Sequence, residues 1–293
     1  MVHERIANRR PFLQTGRTHP QIVALGGDHS ISLPILRALN SVYGKISAIH
    51  IDAHIDTWSP KVFAGAKAGS KQAEFADGTP YYWAGMEGLL TKKNVHAGIR
   101  SSMDSEKDME LDLEVGFTTI PAANILKKDG VWGVIDKIRS VVPHDEPVYF
   151  SLDVDSLDAA FVPGTAGPAS GGYTPREVIQ IIVDGLEGLN IVGADIVEVL
   201  PALDQSEITG IAAAEFTIEV CPPGSDTGST SLTPILGYHE AGQEQARSVI
   251  VVSRCDETWE RHGRVHAVSG LPAPSHVALD DGTTHSLRRT SSE

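Results

Sequence analysis

Three separated stretches carry acids and histidines where apolar strands should end. "GGDHS" holds Asp28 and His29, "DAHID" holds Asp52, His54 and Asp56, and "SLDVDSLD" holds Asp153, Asp155 and Asp158. A hydrophobic core does not choose such residues, because a buried carboxylate is costly unless something compensates it. In an extended chain residues i and i+2 face the same way, so Asp52 and His54 can share a site, as can Asp153 and Asp155. One such pair is ordinarily a loop acid, a cap or a hydrogen-bonding group. Three, each behind an apolar run, point to metal ligation. Mixed Asp/His coordination suits Mn²⁺, Zn²⁺ or Fe²⁺, and the oxygen majority leans to Mn²⁺. This many groups fit two ions better than one. Two ions sharing carboxylates lower the pKa of bound water, so the reaction class is metal-assisted hydrolysis. Asp28 is the weakest member of the set, suited to orienting its turn. His50, deeper in its strand, reads as a satisfied core histidine.

The elements that must position these groups alternate between two periods. "QIVALGG" reads as a buried strand ending in a glycine turn, "SLPILRALNSVYG" as a helix, and "KISAIHIDAH" as the next strand. That strand–helix–strand unit predicts a parallel sheet, whose binding sites lie at the C-terminal strand ends. Residues 56–88 read as a long loop with short elements. "NVHAGI", "GFTTI", "PVYFSLDVD" and "NIVGADIVEV" read as further strands. "GVWGVIDKIRSVV", "TPREVIQIIVDGLEG" and "SEITGIAAAEFTIEV" read as helices; Thr174 can cap the second, with Pro175 in its first turn. A Gly/Pro-rich loop, "DAAFVPGTAGPASGGY", separates the acids of 153–158 from that helix. From 222 to 293 periodicity fades, and only "SVIVVS" resembles a strand. The expected organisation is a catalytic domain over 1–221 and a largely irregular tail over 222–293.

With 24 Lys and Arg against 38 Asp and Glu, the formal charge is −14 in 293 residues. That balance argues against nucleic acid or an anionic membrane as partner. No apolar run is long enough for a membrane span, and no signal-like segment opens the chain. Cys221 and Cys255 form no CxxC pair. A reducing, cytoplasmic setting is the expectation.

The three ligand stretches, together with "GADIVEVLPALD", resemble the signature segments of the ureohydrolases, the arginase and agmatinase superfamily. The resemblance runs from about His19 to Glu219, and "LPILRAL", "DAHIDTW" and "EGLL" are similar to fungal agmatinase-like proteins. It implies a three-layer α/β/α fold around a mainly parallel sheet. It implies two Mn²⁺ ions per subunit, one held by His29, Asp52, Asp56 and Asp153, the other by Asp52, His54, Asp153 and Asp155. It implies that Glu198 pairs with the guanidinium of a small cationic substrate, that urea is released, and that agmatine becomes putrescine. A trimer or hexamer is implied by the same resemblance.

Four features depart from the family pattern. Asp77, in "FADGTPYYW", stands where a histidine usually precedes Gly-Thr. As a proton acceptor or a partner for the substrate cation it could serve; a carboxyl of ordinary pKa is a poor general acid at neutral pH. Ala166 replaces a loop glycine, which matters only if that backbone needs positive φ. Little sequence precedes "GGDHS", and the segment beyond 222 is unlike the family's usual end. Two alternatives to agmatine hydrolysis follow: a guanidinobutyrase or other guanidino-acid hydrolase, and a metal-binding homologue with impaired turnover.

Overall fold

The computed structural model of the chain describes residues 21–61, 63, 67, 70–103, 106–220, 233–235 and 249–253, all within one compact unit. Strands β1 (Gln21–Leu25), β2 (Ser47–Ile51), β3 (Asn94–Ile99), β4 (Phe117–Pro121), β5 (Pro147–Asp153) and β6 (Asn190–Val197) pair in parallel, in the order β4-β3-β2-β5-β6-β1. Two more strands, β7 (Thr233–Ile235) and β8 (Val249–Ser253), extend the sheet from β1 with antiparallel pairing. The strand expected in "SVIVVS" is therefore present as β8. Strand β7, which the sequence did not suggest, also lies in the expected tail; the remainder of 222–293, with Cys255, and Cys221 before it lie outside the described residues.

Strand periodicity sorts the core into two layers. On β2, Ala48 packs on one side with Leu36 and Leu39 of α1 (Ser32–Tyr43) and Tyr81 and Ala84 of α3 (Pro80–Met86). Its neighbours Ile49 and Ile51 face the other side, against Ile135 and Ile138 of α5 (Gly130–Val141) and Phe216 of α7 (Ile208–Val220). Tyr149 and Phe150 on β5 divide the same way. All five residues of β2 are buried, as expected for a parallel sheet covered on both faces. The α/β/α architecture follows.

The 56–88 segment contains a short helix, α2 (Lys71–Glu74), and then α3, which starts at Pro80. Thr174 caps α6 (Pro175–Gln180) with a reciprocal Glu177 bond, and the helix continues into a π turn over Ile181–Gly185. Helix α4 (Glu106–Val115) has no clear signal in "EKDMELDLEV". Its buried side includes Asp108 and Asp112, acids that an apolar-period search passes over.

Candidate metal centre

Four parallel strands deliver the site from their C-terminal ends. After β1, the Gly26–Gly27 turn packs so closely that a side chain at Gly26 would meet Ile31 Cδ1 at 2.6 Å. Gly27 accepts the amide N–H of Glu198 at 2.7 Å, joining the β1 and β6 ends. The chain then drops His29 into the interior with no exposed surface. After β2 come Asp52, His54 and Asp56; Asp153 closes β5 and Asp155 follows it; after β6 comes Glu198. On β3, Gly98 has φ +106°, and a Cβ there would sit 2.7 Å from the Asp52 carbonyl oxygen, so only glycine fits beside this turn.

The ligand candidates converge. His29 Nδ1 lies 2.8 Å from Asp56 Oδ2, 3.3 Å from Asp153 Oδ2 and 3.4 Å from Asp52 Oδ2. His54 Nδ1 lies 3.0 Å from Asp155 Oδ2 and 3.4 Å from Asp52 Oδ1. The other nitrogen of His29, Nε2, meets Ser151 Oγ at 2.9 Å. That contact turns Nδ1 toward the acids, as an outer partner of a metal-binding imidazole does. Backbone amides of Asp155 and His54 donate to Asp153 and Asp52 and hold both carboxylates.

Two observations test whether these groups fit a metal. His29 Nδ1 and Asp52 Oδ2 are buried yet make no aligned hydrogen bond, although His50 Nε2 stands 2.7 Å from Asp52 Oδ2. Such atoms are normally satisfied, and here their donor set suits a divalent cation. The charges agree. Burial, with Asp52 as like-charged neighbour, pushes Asp56 up to about 7 and Asp155 up to about 6. Burial and the charges of Asp155 and Asp52 lift Asp153 well above the usual carboxylate range. Burial would also raise Asp52, but His50, His29 and His54 outweigh it and hold it well below. Burial would lower His54, but Asp155 and Asp52 push it up to about 12. So many acids crowded together hold protons that a cation would displace. His29, His50, Asp52 and Asp56 form one group with ligand atoms within 4.8 Å of each other, and Asp52, His54 and Asp155 form another.

A cavity of about 260 Å³ opens over the cluster, walled by Trp58, Phe63, Asp77, Ala166, Gly167 and Glu198 and floored by the ligand candidates other than Asp52. Glu198 holds a left-handed backbone, φ 60°, and its Oε1 accepts the His29 amide N–H at 2.7 Å. A non-glycine residue in that conformation is uncommon and concentrates at functional sites. Burial pushes its carboxyl up to about 8. Asp56 shares the conformation, with φ 51°. Asp77 stands at the mouth, open to solvent on one side. Partial burial on the other side, then the charge of Asp28, raises its carboxyl.

Asp28 and Asp158 do not join the cluster. Asp28 is exposed and accepts the Ser30 amide at 2.9 Å, the turn-orienting role expected of it. Asp158 braces its own loop, accepting the amides of Ala160 and Gly171. Ala166 needs no left-handed backbone, so its exchange for glycine is unstrained. Gly167 matters more: a Cβ there would lie 3.0 Å from Asp155 Oδ2 and 3.2 Å from His54 Cε1. Sequence reasoning missed Arg100, which donates to the carbonyls of Gly98, Asp155, Ser156, Leu157, Ala169 and Ser170. It ties the ligand loop to the end of β3. Its one signal was a lone cation closing an apolar strand.

Comparison with known proteins agrees with this geometry. The Arginase family model matches residues 3–221. An agmatinase-like protein of Schizosaccharomyces pombe is 42% identical over 233 residues, 79% of this chain and 56% of that protein. Escherichia coli agmatinase is 41% identical over 215 residues, 73% of this chain and 62% of the enzyme. The structure of proclavaminate amidino hydrolase from Streptomyces clavuligerus matches with a TM-score of 0.58 and 35% identity, covering 68% of this chain and 61% of that one. The chain thus spans between half and two thirds of the length of these relatives. Its sequence, its parallel sheet and the acids and histidines at its strand ends place it in the arginase family, the ureohydrolases.

Proposed function

We propose that residues 1–221 carry the catalytic groups of a metal-dependent amidinohydrolase that cleaves a guanidino C–N bond and releases urea, with agmatine as substrate and manganese as metal. The convergence of His29, Asp52, His54, Asp56, Asp153 and Asp155 beneath one cavity carries this reading. We assign His29, Asp52, Asp56 and Asp153 to one ion, and Asp52, His54, Asp153 and Asp155 to the other. Two divalent cations supply Lewis acidity and a lowered pKa for water at neutral pH.

The chain's own groups supply recognition and orientation. A carboxylate matches the planar, cationic guanidinium, and Glu198 is held in place by the His29 amide. A bound guanidinium favours the ionised Glu198 that burial alone disfavours. The pairing fixes the guanidino carbon beside the ligand cluster, which supplies proximity. Hydrolysis joins water oxygen to that carbon and breaks the bond to the tail nitrogen, which takes up a proton. Asp77, raised and at the mouth, is our candidate for handling that proton or for holding a cationic tail.

The described lining contains Asp77 and Glu198 and neither Lys nor Arg. An amine tail suits that charge, whereas the carboxylate tail of guanidinobutyrate or arginine would meet repulsion. Trp58 and Phe63, with ring centroids 6.0 Å apart, offer an apolar wall for a methylene chain. A second reading, metal binding without turnover, is favoured by Asp77 alone, where the family pattern has a histidine. Oligomerisation and a cytoplasmic setting belong to the same proposal. Among the described residues no helix is long and apolar enough to cross a membrane.

The test is urea release by manganese-loaded protein from agmatine, guanidinobutyrate, guanidinopropionate and arginine. Agmatine should be hydrolysed fastest. No urea from any of them, by folded protein carrying metal, rejects catalysis on this panel. Recovery on Asp77→His would then locate the defect in proton handling.

A further inference from the structure

The contacts that begin at Asp52 continue away from the cavity into the sheet. His50 Nε2 lies 2.7 Å from Asp52 Oδ2, and His50 Nδ1 lies 2.7 Å from Nδ1 of His96. The two histidines are register partners on β2 and β3. His96 Nε2 lies 2.8 Å from Asp112 Oδ1 on α4. Asp112 also accepts from Thr57 Oγ1 and Thr119 Oγ1, each at 3.0 Å. His50, His96 and Asp112 have no exposed surface.

A buried carboxylate and two buried imidazoles cost stability that an apolar core would avoid. The geometry shows what this group reaches. Asp112 approaches the 52–57 segment from two directions. Through His96 and His50 it reaches Asp52, the acid common to both halves of the ligand cluster. Through Thr57 it reaches the residue after Asp56, whose backbone is left-handed. The rings have little freedom to turn. His96 stacks on Phe117 at 3.7 Å with planes 5° apart, and Tyr81 packs 4.5 Å from His50.

We propose that Asp112 and His96 are positioning residues of the metal centre, setting the orientation of Asp52 through His50 and of Asp56 through Thr57, and thereby its affinity for divalent metal. The inference rests on the metal-centre reading above. Neither residue lines the cavity, so neither is assigned contact with substrate. Outer partners of this kind are worth roughly 10–100-fold in metal affinity.

The test is calorimetric titration of the full chain with Mn²⁺ at one pH, beside thermal melting of the metal-free protein. Asp112→Asn and His96→Phe should weaken Mn²⁺ binding by about tenfold or more. Thr119→Val, which removes one bond to Asp112, should cause a smaller loss in the same direction. Asp195→Asn is the control. Asp195 is a buried acid bonded to Ser32 Oγ and Tyr149 Oη, outside this chain of contacts. Its variant should melt earlier and bind Mn²⁺ as the parent does. If the Asp112 and His96 variants melt earlier but bind Mn²⁺ unchanged, their role is structural and the proposal is overturned. If those two do not fold, Thr119→Val decides, and unchanged affinity there overturns it. A folded parent chain that binds no Mn²⁺ overturns the metal-centre reading and this inference with it, an outcome distinct from equal binding by parent and variants.

Discussion

The candidate ligands around His29 and those around His54 share Asp52 yet sit in different surroundings. His29 is wholly buried, its ring is held from behind by Ser151, and Asp56 is 4% exposed. His54 has a side chain 28% exposed, while its partner Asp155, in the helical turn Val154–Ser156 that follows β5, is itself buried. The interior holds the inner half. The outer half depends on two loop devices: Arg100, which gathers the carbonyls of 155–170, and Gly167, which lets that loop pass against Asp155 and His54. The contrast teaches that one short segment can contribute to two candidate ligand groups of unequal exposure. The proposed inner ion should be bound more tightly, and the outer ion should exchange with solvent first.

Removal of a shared acid is the strongest way to break that comparison. Asp153 ends β5 beneath both halves, and the proposed assignment makes it a ligand of both ions. Asp153→Asn should cost more than the ~10–100-fold typical of an outer partner and should empty both positions. An amide lacks the charge that offsets two dications. Asp155→Asn should empty the outer position and spare the inner. Metal analysis after gel filtration of folded variants separates these outcomes. Parent-like occupancy in Asp153→Asn would reduce that acid to a structural strand end.

A smaller effect should follow from pH. Asp56 and Asp155, pushed up to about 7 and about 6, favour the folded metal-free protein while protonated. That contribution is present below the ordinary carboxylate pKa and is lost as pH rises through the raised values. His54, pushed up to about 12, changes in the same direction above its ordinary value. Metal-free protein should therefore lose stability from about pH 4 to pH 7, with His54 extending the loss to higher pH. Ligands must be deprotonated to bind metal, so affinity should rise over the same interval. Added Mn²⁺ should raise the melting temperature little at the acid end and by several degrees at the alkaline end. Equal shifts at both ends would mean that these groups are not the ones metal displaces.

Much of the candidate cluster was legible because acids interrupt apolar runs at strand ends, which is a local signal. Asp52, His54, Asp153 and Asp155 needed only period 2 and the parallel-sheet rule. Glu198 needed the family resemblance as well. What stayed hidden depends on register between distant segments. Ser151 meets His29 only because the order β5-β6-β1 brings these strand ends to one place, and no spacing in sequence encodes that. His50 read as a satisfied core histidine; its partners are Asp52, two residues on, and His96, which only the β2–β3 register brings alongside. Helix α4 was missed because its buried face carries Asp112, bonded to groups on β3, β4 and the 52–57 segment. The order β5-β6-β1 also escaped, since β1 joins the strand furthest from it among the parallel six.

The most direct measurement is a calorimetric titration of metal-free protein with Mn²⁺ near pH 8. The account predicts two ions per chain, one tighter than the other, with the weaker removed first by chelator. No binding, or a single ion per chain in folded protein, would contradict it.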